Sequence, residues 1–215
     1  MKKGYQLGLY EKSMPVTLTW CEKLTAAKDA GFDYVEMSID ETDEKLARLE
    51  MKAEEMDEIR AAMRRTGVMF GSICLSGHRK YPLGDPDPVK QTRGMEIMEN
   101  AIDFAVALGI RTIQLAGYDV YYDEGTEETR AAFVGNLRVA AQMAARGGVQ
   151  LGFETMETAF MDTVEKAMYY VDLVRSPYLG VYPDSGNLTN ASLIYGKSVL
   201  DDMETGRGHI IALHL

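Results

Sequence analysis

Two hydrophobic rhythms alternate along this chain. One is a short run of β-prone apolar residues, as in Phe32–Ser38, Val68–Leu75, Ile110–Ala116 and Val149–Glu154. The other is an amphipathic stretch at helical spacing. Between Glu54 and Arg65, Met56, Ile59 and Met63 share one face and the charges take the other. Between Met95 and Leu108 the same spacing recurs with Ile97, Met98, Ile102 and Ala105. A glycine stands at each change from the second rhythm to the first, at Gly31, Gly67, Gly109 and the Gly147-Gly148 pair. Past the last turn of a helix, glycine adopts the left-handed conformation that a Cβ resists, so each of these positions predicts a helix end.

The pattern predicts strands near 5–10, 33–38, 68–75, 110–116, 149–154, 179–183 and 209–214, with six helices between them, the last near 190–206. Strands separated by helices at this spacing form βαβ units and a parallel sheet. No Pro/Ser-rich linker or low-complexity tract divides the chain, so residues 1–215 read as one domain. The predicted class is α/β, a TIM (β/α)8-type barrel with about seven of its eight strands. An open doubly wound sheet is the alternative. It is weakened by the segment after the first strand, Leu9–Met14, which lacks the glycine-rich loop of a dinucleotide site.

Composition narrows the function classes. A formal net charge of −10 opposes nucleic-acid or anionic-membrane binding through bulk electrostatics, although a local site can still take an anionic substrate. Cys21 and Cys74 are isolated and read as reduced thiols of a cytoplasmic protein. The N-terminus has no apolar run after its lysines, and no stretch approaches the roughly 18 apolar residues that a membrane span needs, so neither a signal peptide nor a membrane partner is expected.

Candidate chemistry gathers at strand ends. Three consecutive predicted strands close on a metal-ligating residue: Glu154, Asp184 and His214. In a closed α/β barrel the carboxyl ends of the strands carry the site, so these three would converge. Taken singly, Asp184 could be a helix cap and His214 a core histidine; the conjunction carries the argument. Glu36 interrupts an apolar run at an equivalent level, and His78 and Arg79 lie in a loop flanked by Gly77 and Gly84 where Arg79 and Lys80 can meet an anion. Glu11 and Asp119 read by default as surface or loop residues.

The runs His78–Gly84, Gln114–Tyr122, Phe160–Asp162 and Val181–Leu188 resemble those of the L-ribulose-5-phosphate 3-epimerases, also described as L-xylulose-5-phosphate 3-epimerases, within the xylose-isomerase-like barrel superfamily. The resemblance spans essentially the whole chain. It implies a divalent metal (Mn, Zn, Co or Mg) held by Glu154, Asp184, His214 and a second glutamate at the end of an eighth strand past residue 215, hence a C-terminally incomplete barrel. It also implies substrate contacts from Glu36, His78, Arg79, Glu157 and Asn187. Here Glu157 replaces an Asp of many relatives, and Asn187 stands where some free-ketose epimerases carry histidine.

The implied activity interconverts L-ribulose 5-phosphate and L-xylulose 5-phosphate through an enediolate, in pentose or ascorbate catabolism. Glu154 is the implied acid/base residue, and a homodimer is a candidate assembly. Two alternatives stay open: an aldose–ketose isomerase of the hexulose-phosphate type, and a catalytically silent truncated barrel. A role like that of endonuclease IV, another superfamily member, is disfavoured by the acidic balance and the absence of a basic stripe.

Overall fold

In a computed structural model that describes residues 4–215, six strands form one parallel sheet in sequential order. They are β1 (Gly8–Tyr10), β2 (Tyr34–Ile39), β3 (Met69–Leu75), β4 (Thr112–Ala116), β5 (Gln150–Glu154) and β6 (Leu179–Tyr182). Helices α1 (Trp20–Asp29), α2 (Asp43–Ala47), α3 (Ala53–Thr66), α4 (Pro88–Leu108), α5 (Glu127–Gly147), α6 (Val164–Val174), α7 (Ser185–Tyr195) and α8 (Val199–Thr205) connect and follow them. This is the α/β barrel architecture that the alternating rhythms predict.

The predicted helix ends hold. Gly67, Gly109 and Gly148 close α3, α4 and α5 with φ of 74°, 77° and 63°. The helix expected near 190–206 is instead two. Asp184 caps α7 from below, Gly196 ends it at φ 65°, and Ser198 starts α8. α4 begins at Pro88, capped by the Asp87 side chain, well before the apolar spacing becomes visible at Met95.

The sheet has a chemical front and back. Its register aligns Glu36 with Ser72, Cys74 with Gln114, Ala116 with Glu154 and Glu154 with Tyr182 on one face. Alternate residues such as Met37, Ile73, Ile113, Leu151 and Val181 point the other way and are fully buried in the main apolar core against the helices. The lumen face therefore carries the polar side chains Glu36, Ser72, Gln114 and Glu154. Slow alternation within largely buried strands is what places carboxylates there without exposing apolar residues.

The seventh expected strand differs from a regular one. Residues 209–214 run parallel to β6 but meet the sheet only at two isolated bridges, Val181 with Ile210 and Asp184 with His214. Val181 bonds His209 and Ile211 on either side of Ile210, at 2.9 Å each. A regular ladder would continue through Pro183 N–H, which proline does not have. The Pro183 carbonyl accepts from His214 N at 2.8 Å and the register slips by one residue. Two lumen glycines make room for the segment: a Cβ on Gly152 would lie 2.4 Å from Ile211 Cδ1, and one on Gly180 would lie 2.5 Å from the His209 carbonyl oxygen. Among the described residues, no helix is long and apolar enough to cross a membrane.

Candidate metal centre

Glu154 is the last residue of β5, Asp184 follows β6, and His214 lies on the slipped segment beside it. One ligand atom from each falls within 4.8 Å of the others. His214 Nδ1 is 3.0 Å from Glu154 Oε1 and 3.5 Å from Asp184 Oδ2. All three side chains are partly buried, so a small ion or ligand can reach them. Glu154 pulls the His214 pKa upward through its hydrogen bond, burial opposes this, and the charges of Glu36, Glu154 and Asp184 add to the rise.

Local structure explains how Asp184 is aimed. Its Oδ1 accepts from Asn187 N at 2.7 Å as the cap of α7, which leaves Oδ2 toward the histidine. The cap reading and the ligand reading of Asp184 are thus both satisfied, by different oxygens. Thr155, fully buried, donates and accepts between β5 and β6: its Oγ1 accepts from Asp184 N at 2.9 Å. Sequence reasoning missed Thr155 because a threonine after a strand carries no signal of its own.

The donor set fits a divalent cation. Two carboxylates and an imidazole meet with no lysine or arginine among them, and the chemistry is the mixed oxygen–nitrogen set that such ions take. Gln114 on β4 adds a second observation. Its Nε2 lies 3.3 Å from His214 Nδ1, and its Oε1 is buried with no hydrogen-bond partner. A buried amide oxygen without a partner is costly unless something fills the space beside it.

Three of the residues expected at the substrate have partners within the protein. His78 is 5% exposed, and its Nε2 bonds the Gly94 carbonyl at 3.0 Å, tying the loop after β3 to α4. Burial drives its pKa down to about 4, against the pull of that carbonyl, so the ring is neutral at neutral pH. Asn187 donates its side-chain amide to the Thr155 carbonyl at 2.8 Å. Glu36 is 3% exposed on β2; its Oε2 accepts from Ser72 Oγ at 2.6 Å and Tyr182 OH at 3.1 Å. Burial pushes its pKa up, while Ser72, His214 and Tyr182 pull it back.

Arg79 and Glu157 remain open. The Arg79 guanidinium stacks 5.1 Å over the Tyr121 ring, and its Nε is buried without a partner, as is the hydroxyl of Tyr118. Glu157 is exposed and accepts from Tyr121 OH at 3.4 Å. These four residues follow β3, β4 and β5, at the same carboxyl ends as the three ligands.

Two further expectations are corrected. Glu11 and Asp119, read by default as surface or loop residues, are each 2% exposed; Asp119 does lie in the loop after β4, but neither is on the surface. Glu11 accepts from Lys23 at 2.6 Å, Lys45 at 3.3 Å, Arg48 at 2.7 Å and Ser38 N at 3.0 Å. Asp119 accepts from Thr129 Oγ1 at 2.6 Å. A carboxylate's partners decide its burial, and here they lie on other elements.

Residues 24–215 match the family described as the xylose isomerase-like TIM barrel. The chain is 44% identical, over all of its length and 74% of the relative's, to the L-ribulose-5-phosphate 3-epimerase UlaE of Salmonella heidelberg. A D-psicose 3-epimerase structure with D-tagatose, from Clostridium cellulolyticum, superposes with a TM-score of 0.82 at 16% identity, covering 98% of this chain and 72% of that one. A xylose isomerase-like TIM barrel protein from Mycobacterium smegmatis, in complex with magnesium, gives 0.75 at 14% identity, over 99% and 74% respectively. At these identities the two structures bear on the fold alone.

Proposed function

The chain belongs to the L-ribulose-5-phosphate 3-epimerase family of xylose isomerase-like TIM barrels, and on that premise we propose that it interconverts L-ribulose 5-phosphate and L-xylulose 5-phosphate with a divalent metal. The observation that carries the metal-dependent reading is the convergence of Glu154, Asp184 and His214 within 4.8 Å, two carboxylates and an imidazole with no lysine or arginine in the set.

Inverting a carbon beside a ketone requires its hydrogen to leave as a proton, and such carbon acids are far too weak at neutral pH. A divalent ion held by Glu154, Asp184 and His214 would supply Lewis-acid stabilisation of the charge that develops on the substrate oxygens. Glu154 takes the C3 proton from one face and leaves an enediolate. A second acid/base group returns a proton to the other face, a role that the resemblance gives to a second glutamate. Asp184, fixed through its Oδ1 by the N-terminus of α7, and Thr155 hold the geometry of the β5 and β6 ends. Arg79, with its Nε beside the buried hydroxyl of Tyr118, takes the phosphate, and Glu157 faces the sugar from the next loop. Residues 1–215 act in this reading as one barrel unit.

The test is turnover of L-ribulose 5-phosphate in deuterated water, with Mn²⁺ and with a chelator. Metal-dependent formation of L-xylulose 5-phosphate carrying deuterium at C3 is expected. Exchange at C1 or C2 with an aldose product would instead make the protein an aldose–ketose isomerase, and identical rates in chelator would remove the metal from the reaction.

A further inference from the structure

His214 presents its two ring nitrogens to two different groups of carboxylates. Nδ1 faces Glu154 Oε1 and Asp184 Oδ2, while Nε2 faces Glu36 Oε1 at 3.7 Å. We infer that Glu36 is a positioning residue of the metal centre, holding the His214 ring so that Nδ1 is the coordinating atom and Nε2 carries the proton. This rests on the metal reading above.

Three features support it. First, Glu36 cannot swing away. Ser72 on β3 and Tyr182 on β6 both donate to its Oε2, which leaves Oε1 as the oxygen turned to the imidazole. Second, the ring itself is boxed in. Tyr10 stands edge-on to it with centroids 5.6 Å apart, and Tyr182 does so at 6.3 Å. Third, a neutral imidazole that gives one nitrogen to a metal keeps its proton on the other, and that N–H needs an acceptor; a carboxylate is the strongest one. Among the described residues, the one acceptor at Nε2 in an ion-pair contact is Glu36. At 3.7 Å the pair is a charge contact, and a shift of roughly 0.7 Å brings it into hydrogen-bond range.

The arrangement also explains why so polar a residue stands in the middle of β2. A substrate contact would leave Glu36 an oxygen open to the mouth, whereas this carboxylate is 3% exposed with both oxygens directed at protein groups. Its place is at Nε2, the opposite ring nitrogen from the one that faces Glu154 and Asp184.

The experiment measures Zn²⁺ binding by calorimetry for the wild type, Glu36→Gln, Ser72→Ala and Tyr182→Phe. The His214 ring is followed by long-range ¹H–¹⁵N spectra of the Zn²⁺-loaded protein. Melting of the metal-free forms checks the fold. Glu36→Gln is expected to weaken Zn²⁺ about 10- to 100-fold, with a smaller loss of the same sign for Ser72→Ala and Tyr182→Phe, which keep Glu36 itself. The wild-type ring should show its proton on Nε2, shifted downfield by a carboxylate acceptor, and that shift should vanish in Glu36→Gln. Unchanged Zn²⁺ affinity with a raised KM for the ketose would return Glu36 to the substrate. Coordination through Nε2, or an Nε2 proton unmoved by Glu36→Gln, would equally overturn the inference while leaving the metal centre intact. A wild-type protein that binds no Zn²⁺ would sink the metal reading and this inference together.

Discussion

Glu11 and Glu154 stand at the same ends of two strands of one barrel, and their surroundings are opposite. Glu11, just past β1, is ringed by Lys23, Lys45 and Arg48, and Trp20 lies under two of these cations, 5.1 Å from Lys23 Nζ and 4.8 Å from Arg48 Cζ. Glu154, ending β5, has Asp184 and Glu36 for neighbours and, among the described residues, only His214 as a basic partner. Around Glu11 the cations outnumber the carboxylate, so its charge is neutralised inside the protein and the residue pins β1, β2, α1 and α2 together. Around Glu154 the carboxylates outnumber the cations. That surplus is an unfinished neutralisation, which a divalent ion would complete. Counting opposite charges around a carboxylate separates a structural residue from a candidate ligand better than its position on a strand does.

The comparison can be broken most forcefully at its functional pole. Glu154→Gln is expected to lower epimerisation by about 10⁴-fold, the upper end for losing one acid/base group. Gln is nearly isosteric, so melting of the metal-free protein should barely move. Near-normal turnover in a metal-loaded Gln variant would sink the assignment of Glu154 as base.

At the structural pole, Glu11→Gln leaves three cations in a buried cluster without their counter-charge. We expect a loss of about 3–5 kcal/mol in denaturant unfolding, with Zn²⁺ affinity unchanged in whatever fraction stays folded. A stable variant with altered metal affinity would show that the two regions are one electrostatic unit.

Acid separates the poles without mutation. Burial pushes the Glu11 carboxyl up, but hydrogen bonds from Arg48 and Lys23 and the Arg48 charge prevail and hold it at about 2, below the ordinary 4.5. A depressed carboxylate binds its proton first in the unfolded chain. Its contribution to stability is therefore present in full above pH 4.5 and lost as pH falls toward about 2, about 3 kcal/mol in all. Denaturation curves across that window should show the loss in the wild type and a shallower one in Glu11→Gln. His78 adds a loss of comparable size beginning higher, between its ordinary 6.5 and about 4, because the folded ring stays neutral while the unfolded one charges.

Smaller still is the expected effect at Arg79. Arg79→Ala should raise KM for the phosphorylated ketose by about 10- to 100-fold, the range for one hydrogen bond to a charged group, with kcat and metal affinity little changed. An unaltered KM would move the phosphate elsewhere. The least effect is expected at Lys80, an exposed residue 3.3 Å from an exposed Asp43. Lys80→Ala should change stability by less than about 0.5 kcal/mol in the same unfolding assay, and a larger change would mean that mere proximity of charges is enough here, against the lesson of Glu11.

Local pattern settled a good deal. The period-two and helical spacings and the glycine stops set the order of strands and helices, because backbone conformation responds to near neighbours. Glu154, Asp184 and His214 were legible as a set, since equivalent ends of consecutive parallel strands lie side by side. Other features were invisible in the chain because they depend on partners far along it. Glu11 finds its cations 12, 34 and 37 residues away. His78 is bonded to a carbonyl 16 residues on, and Glu36 is held by a tyrosine 146 residues away. Even the exact setting of His214 waited on tertiary structure: Pro183 has no N–H to give the ladder, so the segment slips and the imidazole comes to rest between Glu36 on one side and Glu154 and Asp184 on the other. Sequence determined that Glu154, Asp184 and His214 share one end of the barrel. Sheet register and packing between distant elements decided how many opposite charges each one meets, and hence which carboxylates are neutralised within the protein and which are left in surplus.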